Sequence, residues 1–178
     1  MGIAGTVTVP PGLLVLVAAV CCVRVGELSL ARRNTRWTAA RGGVEYGSRS
    51  YPAVIVLHTG LILGILLEVT LAHRPFVPLL GWSAVAALVL VQAVRGWCMH
   101  ALGPLWNTRI IVVPGHPLVR HGPYRFMRHP NYTAVVLEGI ALPMVHGAWL
   151  TAAVFTFLNT PFLLFWARAE DRALRLAP

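Results

Sequence analysis

The chain has 178 residues, enough for one domain, of which 57% are hydrophobic and only 12% charged, with a mean hydropathy of +0.68. A soluble domain carries roughly 25% charged residues, so this composition cannot cover a water-exposed surface. The formal charge of +9 comes from arginine alone, and arginines spaced between long apolar runs point to a membrane and away from nucleic acid.

Ile3 to Val23 is a run of 21 residues without a charge, and a spanning helix needs about 20. Its basic residues begin at Arg24, after the run, whereas a cleaved signal peptide places them before it. A retained first helix over about 7–28 is therefore expected, with Pro10 and Pro11 near its start. A polar segment carrying Arg32, Arg33, Arg36, Arg41 and Arg49 follows. The second span, 51–72, contains His58 and ends beyond Glu68. His73-Arg74-Pro75 turns the chain into a third span, 76–95, and a long polar stretch with Gly and Pro reaches His129. The fourth span, 130–146, holds Glu138, and His146-Gly147 turns into the fifth, 148–167, before a charged tail over 168–178. The short turns predict that spans two and three, and spans four and five, form antiparallel hairpins.

The fold class expected is all-α: a polytopic integral membrane protein of about five transmembrane helices in a single domain, 1–178. Residues 31–50, 95–129 and 168–178 hold thirteen arginines against Arg74 alone on the other side. That bias predicts an outside N-terminus and a cytoplasmic C-terminus. Cys21, Cys22 and Cys98 form no CxxC pair, so neither a metal site nor a disulfide framework is expected.

Polar groups inside the spans mark candidate chemistry. At 1.5 Å per residue, Glu138 lies roughly 12 Å and His58 roughly 10 Å into the bilayer. Each has a structural alternative: a buried ion pair for Glu138, a helix–helix hydrogen bond for His58, and interfacial snorkelling for Glu68. The densest polar cluster is HPLVRHGPYRFMRHPNY, His116 to Tyr132, which runs into the fourth helix at Pro130. Proline suits a first helical turn, and such a junction can aim side chains at an anion. A basic loop against lipid headgroups is the alternative, although it has no need of interleaved histidine and tyrosine. Glu170 and Asp171 follow the last span, either as a solvated helix end or as partners of the basic junction. Trp97, Trp106 and Trp166 fit an interfacial belt.

Leu102 to Tyr132 resembles the signature region of the isoprenylcysteine carboxyl methyltransferase family and its phospholipid methyltransferase relatives. It supplies His116, Leu118-Val119, Gly122-Pro123-Tyr124 and Arg128-His129-Pro130-Asn131-Tyr132, followed by Glu170-Asp171-Arg172-Ala173-Leu174. Glu27, Arg33-Asn34, Gly43-x-Glu45-Tyr46-Gly47, Tyr51-Pro52, His58 and Glu138 are similar to a bacterial branch. The resemblance implies S-adenosylmethionine as cofactor, no metal, and a site on segment 102–132 plus the tail, facing the cytoplasm of a bacterial cytoplasmic membrane. It implies that Arg109, His116, Leu118, Val119, Tyr124, His129, Pro130, Asn131, Tyr132 and Glu170 bind the cofactor. The branch resembled methylates phenols or pyrones on long chains, and eukaryotic members take prenylcysteine carboxylates. Trp166 stands where some relatives place a substrate-contacting arginine, with Arg168 just after it, so these two are candidate substrate contacts. Ala134 and Asp171 also depart from the family pattern. A phenol or enol acceptor calls for a general base, and Glu138 and His58 are the candidates. A lipophilic acceptor would enter from the bilayer. Two other readings are weighed: a membrane nicotinamide-dependent reductase of the sterol-reductase type, and a non-enzymatic subunit holding haem or quinone through His58 and His100.

Overall fold

The computed structural model describes residues 9–176. The chain is built from five α-helices: α1 Pro11–Ala39, α2 Tyr51–Leu71, α3 Pro78–Leu102, α4 Pro130–Met144 and α5 Trp149–Leu176. The first four each carry proline at the first or second helical position, where its missing N–H costs nothing. Positions 7 and 8 of the expected first span, and positions 177 and 178 of the tail, lie outside the described residues.

Three helices are longer than the apolar runs that mark them. α1 continues through Arg32, Arg33 and Arg36, α3 passes Arg95 to Leu102, and α5 takes up the charged tail to Leu176. Arginine is a strong helix former and carries an apolar stem, so the helix continues into the headgroup region where hydropathy stops marking it. α1, α2, α3 and α5 are long and apolar enough to cross a membrane. α4, with 15 residues, is roughly 22 Å long against a hydrocarbon core of about 30 Å. Pro143 closes it, and Gly147, at φ +66°, turns the chain into α5.

The all-α expectation needs one correction. β1, Val44–Tyr46, pairs antiparallel with β2, Ile110–Val112, with Glu45 opposite Ile111. This ribbon ties the α1–α2 connection to the α3–α4 connection on the arginine-rich side. Hydropathy runs cannot reveal it because three-residue strands leave no periodic pattern.

The helices neighbour one another in the order α3–α4–α5–α2. α4 and α5 form the expected hairpin, but α2 packs on α5 and α3 on α4, so α2 and α3 diverge from their short connection. Phe76 in that connection sits on His146 of the α4–α5 turn, with ring centroids 5.6 Å apart. Glu68 anchors the same end: its carboxylate accepts from the backbone N–H of Leu150 (3.2 Å) and Thr151 (2.7 Å) and from the Thr151 hydroxyl, and it pairs with Arg74 at 3.1 Å. Those N–H groups open α5, where the helix dipole favours a carboxylate. Glu68 therefore clamps α2 to α5.

The exposed surface argues for lipid. Leu79 is 86% exposed, Phe157 79% and Val15 70%, each on a helix face carrying further exposed apolar residues. The interior divides into two layers. Leu13, Leu61, Ile65, Leu88, Leu142 and Phe155 form an apolar core away from the arginine-rich side, and in the layer nearer to it buried Glu27, Asn34, Arg95, Glu138 and Asn159 stand among apolar residues such as Cys98, Trp106 and Trp166. The composition, the apolar helices and this surface together make the chain an integral membrane protein.

Gly139 shows how tightly α4 meets α5: a Cβ built there would lie 2.2 Å from Cε1 of Phe155. Gly139→Ala should lower stability by about 1–3 kcal/mol, read as a drop in the thermal midpoint of the detergent-solubilised protein. An unchanged midpoint would refute this packing.

Candidate active site

The N-terminus of α4 and the last turns of α5 bring the two halves of the sequence motif together. His129, just before α4, has Nδ1 3.2 Å from Glu170 Oε2 and Nε2 3.3 Å from Asp171 Oδ1. Its ring stacks on Tyr132 at 5.3 Å with an interplanar angle of 13°. Both ring nitrogens can donate only in the imidazolium form. The hydrogen bond to Glu170, together with the charges of Glu170 and Asp171, outweighs partial burial and raises the His129 pKa. Arg128 adds a looser contact to Asp171, 3.5 Å. Burial and the neighbouring Cys98 and Glu170 push the Tyr124 phenol well above its ordinary range, which keeps it neutral.

Three cavities meet around this junction. A basin of about 640 Å³ on the arginine-rich side is lined by His116, Leu118, Val119, Arg120, Arg125, Asp171 and Arg175, among others. A narrower throat of about 150 Å³ contains Trp106, Arg109, Asn131, Tyr132, Asn159 and Trp166. Tyr124, Arg128, His129 and Glu170 line both the basin and the throat. A lateral cavity of about 450 Å³ lies between α1 and α2, with α4 and α5 behind it. It shares Val54, His58, Arg95, Thr108 and Val135 with the throat. The three thus form one passage from the arginine-rich face to the lipid-facing gap between α1 and α2.

Most residues singled out from the sequence line this passage. Arg109 pairs with Glu45 at 3.2 Å and lies over the Tyr51 ring, 4.6 Å from its centroid. His116 is exposed at the basin's rim, its ring edge-on to Trp37. Pro130 is buried and opens α4, aiming Asn131 and Tyr132 into the throat. Trp166 is held in the throat by its indole N–H, which donates to the Ser50 hydroxyl at 2.9 Å. Arg168 is exposed and lines none of the three cavities, since two residues of helix turn it away from Trp166.

Glu138 and His58 occupy different settings. Glu138 is ion-paired to Arg24, accepts from Gln92 at 3.0 Å, and lies 3.8 Å from Arg95. Glu27 pairs with Arg24 and takes Arg95 in a fork, 2.5 Å from Nε and 3.0 Å from Nη2. His58 has Nδ1 2.9 Å from the Val54 carbonyl oxygen and its ring edge-on to Phe155. A protonated Nδ1 donating to that carbonyl leaves the Nε2 lone pair free, and Nε2 has no protein partner among the described residues.

Sequence reasoning missed Arg24, Arg95 and Gln92 and left Glu27 without a role. The signal was there: Leu13, Val20, Glu27 and Asn34 are seven apart on the buried stripe of α1, and Leu88, Val91, Arg95 and Cys98 follow the buried stripe of α3. A charge on an otherwise apolar stripe announces a partner inside.

A family model described as the isoprenylcysteine carboxyl methyltransferase (ICMT) family matches residues 84–176. The chain belongs to this family. It is accordingly a membrane methyltransferase by kinship. The chain is 39% identical to the uncharacterized protein YpbQ of Bacillus subtilis (strain 168), over 90% of this chain and 95% of that protein. It is 24% identical to an uncharacterized protein of Haemophilus influenzae, over 88% of this chain and 91% of that one. No solved structure matches the chain. The ICMT match takes in His129, Tyr132, Arg95, Glu138 and Glu170, while α1 and α2, which wall the lateral cavity, lie outside it.

The His129 contacts carry a pH signature. A histidine whose pKa is raised by folding contributes stability that is complete below its unfolded pKa, near 6.5, and is lost as pH rises through the higher folded value. The thermal midpoint of the wild type relative to His129→Gln should therefore shrink as pH climbs from about 6 toward 9. Burial lowers the pKa of His146, which titrates in both proteins and cancels in the difference. A difference that stays flat or grows with pH would contradict the imidazolium assignment.

Proposed function

We propose that this protein transfers a methyl group from S-adenosylmethionine to an oxygen of a lipophilic acceptor, at the throat where the basin and the lateral cavity meet. The observation that carries this reading is the continuity of the three cavities, which gives a polar cofactor and an apolar acceptor separate entrances to one point. The arginine-rich face is taken as cytoplasmic, so the cofactor enters there and the acceptor slides in from the bilayer.

The residues fit such a cofactor. Trp106 Nε1, Asn131 Oδ1 and Asn159 Nδ2 are buried polar atoms without a protein partner, and all three residues line the throat. A ligand bearing both donors and acceptors satisfies them, and leaving them unsatisfied is costly. Glu170 and the arginines of the basin suit the amino and carboxyl groups of a zwitterion, with His116, Leu118, Val119, Tyr124 and Tyr132 as further wall. S-adenosylmethionine supplies an electrophilic methyl on a sulfonium that departs as a neutral thioether.

The chain's own contribution is positioning, exclusion of water and removal of one proton. His58 is the proposed base, its Nε2 lone pair free in the throat wall. Glu138 is proposed as a positioning residue, because Arg24 and Gln92 already occupy its oxygens. Trp166 shapes the acceptor's side of the throat, and Arg168 faces the interface. The acceptor classes this arrangement suits are a long-chain phenol or pyrone, which needs the base, and a prenylcysteine-type carboxylate, which does not.

Titration calorimetry of S-adenosylhomocysteine into detergent-purified protein tests the cofactor. The wild type should bind and His129→Ala should not; absence of binding to folded, monodisperse wild type would defeat the reading. His58→Gln should keep that binding and lose about 10²–10⁴-fold in kcat for a phenolic acceptor, with the fall in rate at low pH abolished. Unchanged kcat would remove His58 as the base.

A further inference from the structure

The segment Arg125-Phe126-Met127-Arg128 sits where two lipid-facing stripes end on the arginine-rich side. Leu90, Val94 and Trp97, at i, i+4 and i+7, form the exposed stripe of α3. Thr133, Leu137 and Ile140 form the matching stripe of α4. Phe126 is 71% exposed, with its ring centroid 6.4 Å from that of Trp97, and the Thr133 hydroxyl donates to the Met127 sulfur at 3.7 Å. The one-turn helix Gly122–Arg125 pins the segment to α3: a Cβ on Gly122, at φ +59°, would lie 3.0 Å from Ala101 and 3.1 Å from Trp97. Exposed arginines bracket the two apolar side chains. The Arg125 guanidinium lies 5.7 Å from the centroid of the Phe126 ring, and 73% of the Arg128 side chain is free. Exposed apolar side chains flanked by arginines, continuous with the lipid-facing stripes, fit the headgroup layer of a bilayer. With the arginine-rich face turned to the cytoplasm, that layer is anionic, and each arginine near it favours association by about fivefold.

The same arginines also stand in the basin. Arg120, Arg125, Arg128 and Arg175 line it against Glu170 and Asp171, four cations to two anions. Such a balance disfavours a cationic ligand relative to a neutral one. S-adenosylmethionine carries one net positive charge, because its sulfonium adds to a zwitterion. S-adenosylhomocysteine, which has lost the sulfonium, carries none. The bare basin therefore favours the spent product over the donor. We propose that Arg125 to Arg128 is a docking surface for anionic phospholipid headgroups, and that phosphates docked there offset the rim arginines and turn the basin's preference from product toward donor. This rests on the methyltransferase reading and adds a regulator to its cofactor site. The docked segment runs straight into His129, and Arg128 reaches Asp171 at 3.5 Å, so the surface and the cofactor junction share residues.

The experiment uses the full chain in lipid nanodiscs, either of phosphatidylcholine alone or of equal parts phosphatidylcholine and phosphatidylglycerol. Titration calorimetry reads the affinities of S-adenosylmethionine and S-adenosylhomocysteine in each. In the wild type the ratio of donor to product affinity should rise by about fivefold or more with phosphatidylglycerol, and about 1 M salt should remove the rise. The double variant Phe126→Ser, Met127→Ser keeps every charge; it should lose most of the rise and leave both affinities in phosphatidylcholine unchanged. Phe126→Ser alone serves if the double variant fails to fold. Arg125→Gln should raise the ratio already in phosphatidylcholine and gain less from phosphatidylglycerol. Simple attraction of a cation to an anionic surface would act equally on the wild type and the serine variants. A rise that persists in full in those variants would therefore overturn the inference, as would an equal ratio in the two lipids. Folded wild type that binds neither compound in either lipid would defeat the methyltransferase reading, and this inference with it.

Discussion

Charge buried inside a bilayer must find a partner, and the contacts among Arg24, Glu27, Arg95 and Glu138 tie α1, α3 and α4 together through that requirement. Removing one partner of such a buried pair typically costs roughly 3–5 kcal/mol. The cluster therefore adds to α1 a hold beyond the apolar contacts of Leu13 and Val20. Lower down, Asn34 extends the polar seam by donating to the carbonyl oxygens of Gly103, at 3.2 Å, and Trp106, at 2.7 Å. α1 is thus held by apolar contacts of Leu13 and Val20 near its start and by directional bonds farther along the same stripe, and the gap left between it and α2 is the lateral cavity.

The same economy appears across the molecule. All six acidic side chains are ion-paired: Glu27 and Glu138 in the cluster, Glu68 at the opposite end, Glu45 over the ribbon, and Glu170 and Asp171 at the motif. Most of these pairs join segments distant in sequence; Arg24–Glu27 spans one turn of α1, and Glu68–Arg74 joins the end of α2 to the turn that follows it. The arginines left over gather on one side, where water and headgroups can solvate them. The passage from basin to lateral cavity runs between those two populations, polar at one end and apolar at the other. That gradient suits a reaction between a water-soluble donor and a lipid.

Much of this was legible in the residues. Pro10-Pro11, Tyr51-Pro52 and Pro130 mark helix starts where the structure has them, and the order His129, Tyr132, Glu170 in the sequence already points to the junction. The helices run past the expected spans because arginine halts hydropathy without halting the helix, as at Arg32 to Arg36 in α1. The separation of α2 from α3 was hidden because turn length says nothing about what wedges between two helices. The β1–β2 ribbon was invisible because pairing of two three-residue segments is a tertiary event. Arg95 stands where the apolar run ends, and its place on the buried stripe of α3 follows from the helix continuing to Leu102.

The central claim is that a soluble methyl donor and a membrane-borne oxygen acceptor meet at the throat beside His58. The most direct measurement is transfer of isotopically labelled methyl from S-adenosylmethionine, added outside vesicles that hold the purified protein, to a long-chain acidic enol or phenol dissolved in the bilayer. The account predicts saturable appearance of a labelled O-methyl product in the lipid phase, from those molecules whose arginine-rich face is turned toward the added donor. Folded, reconstituted protein that transfers no label to any oxygen acceptor, or that labels a lipid amine instead, would contradict it.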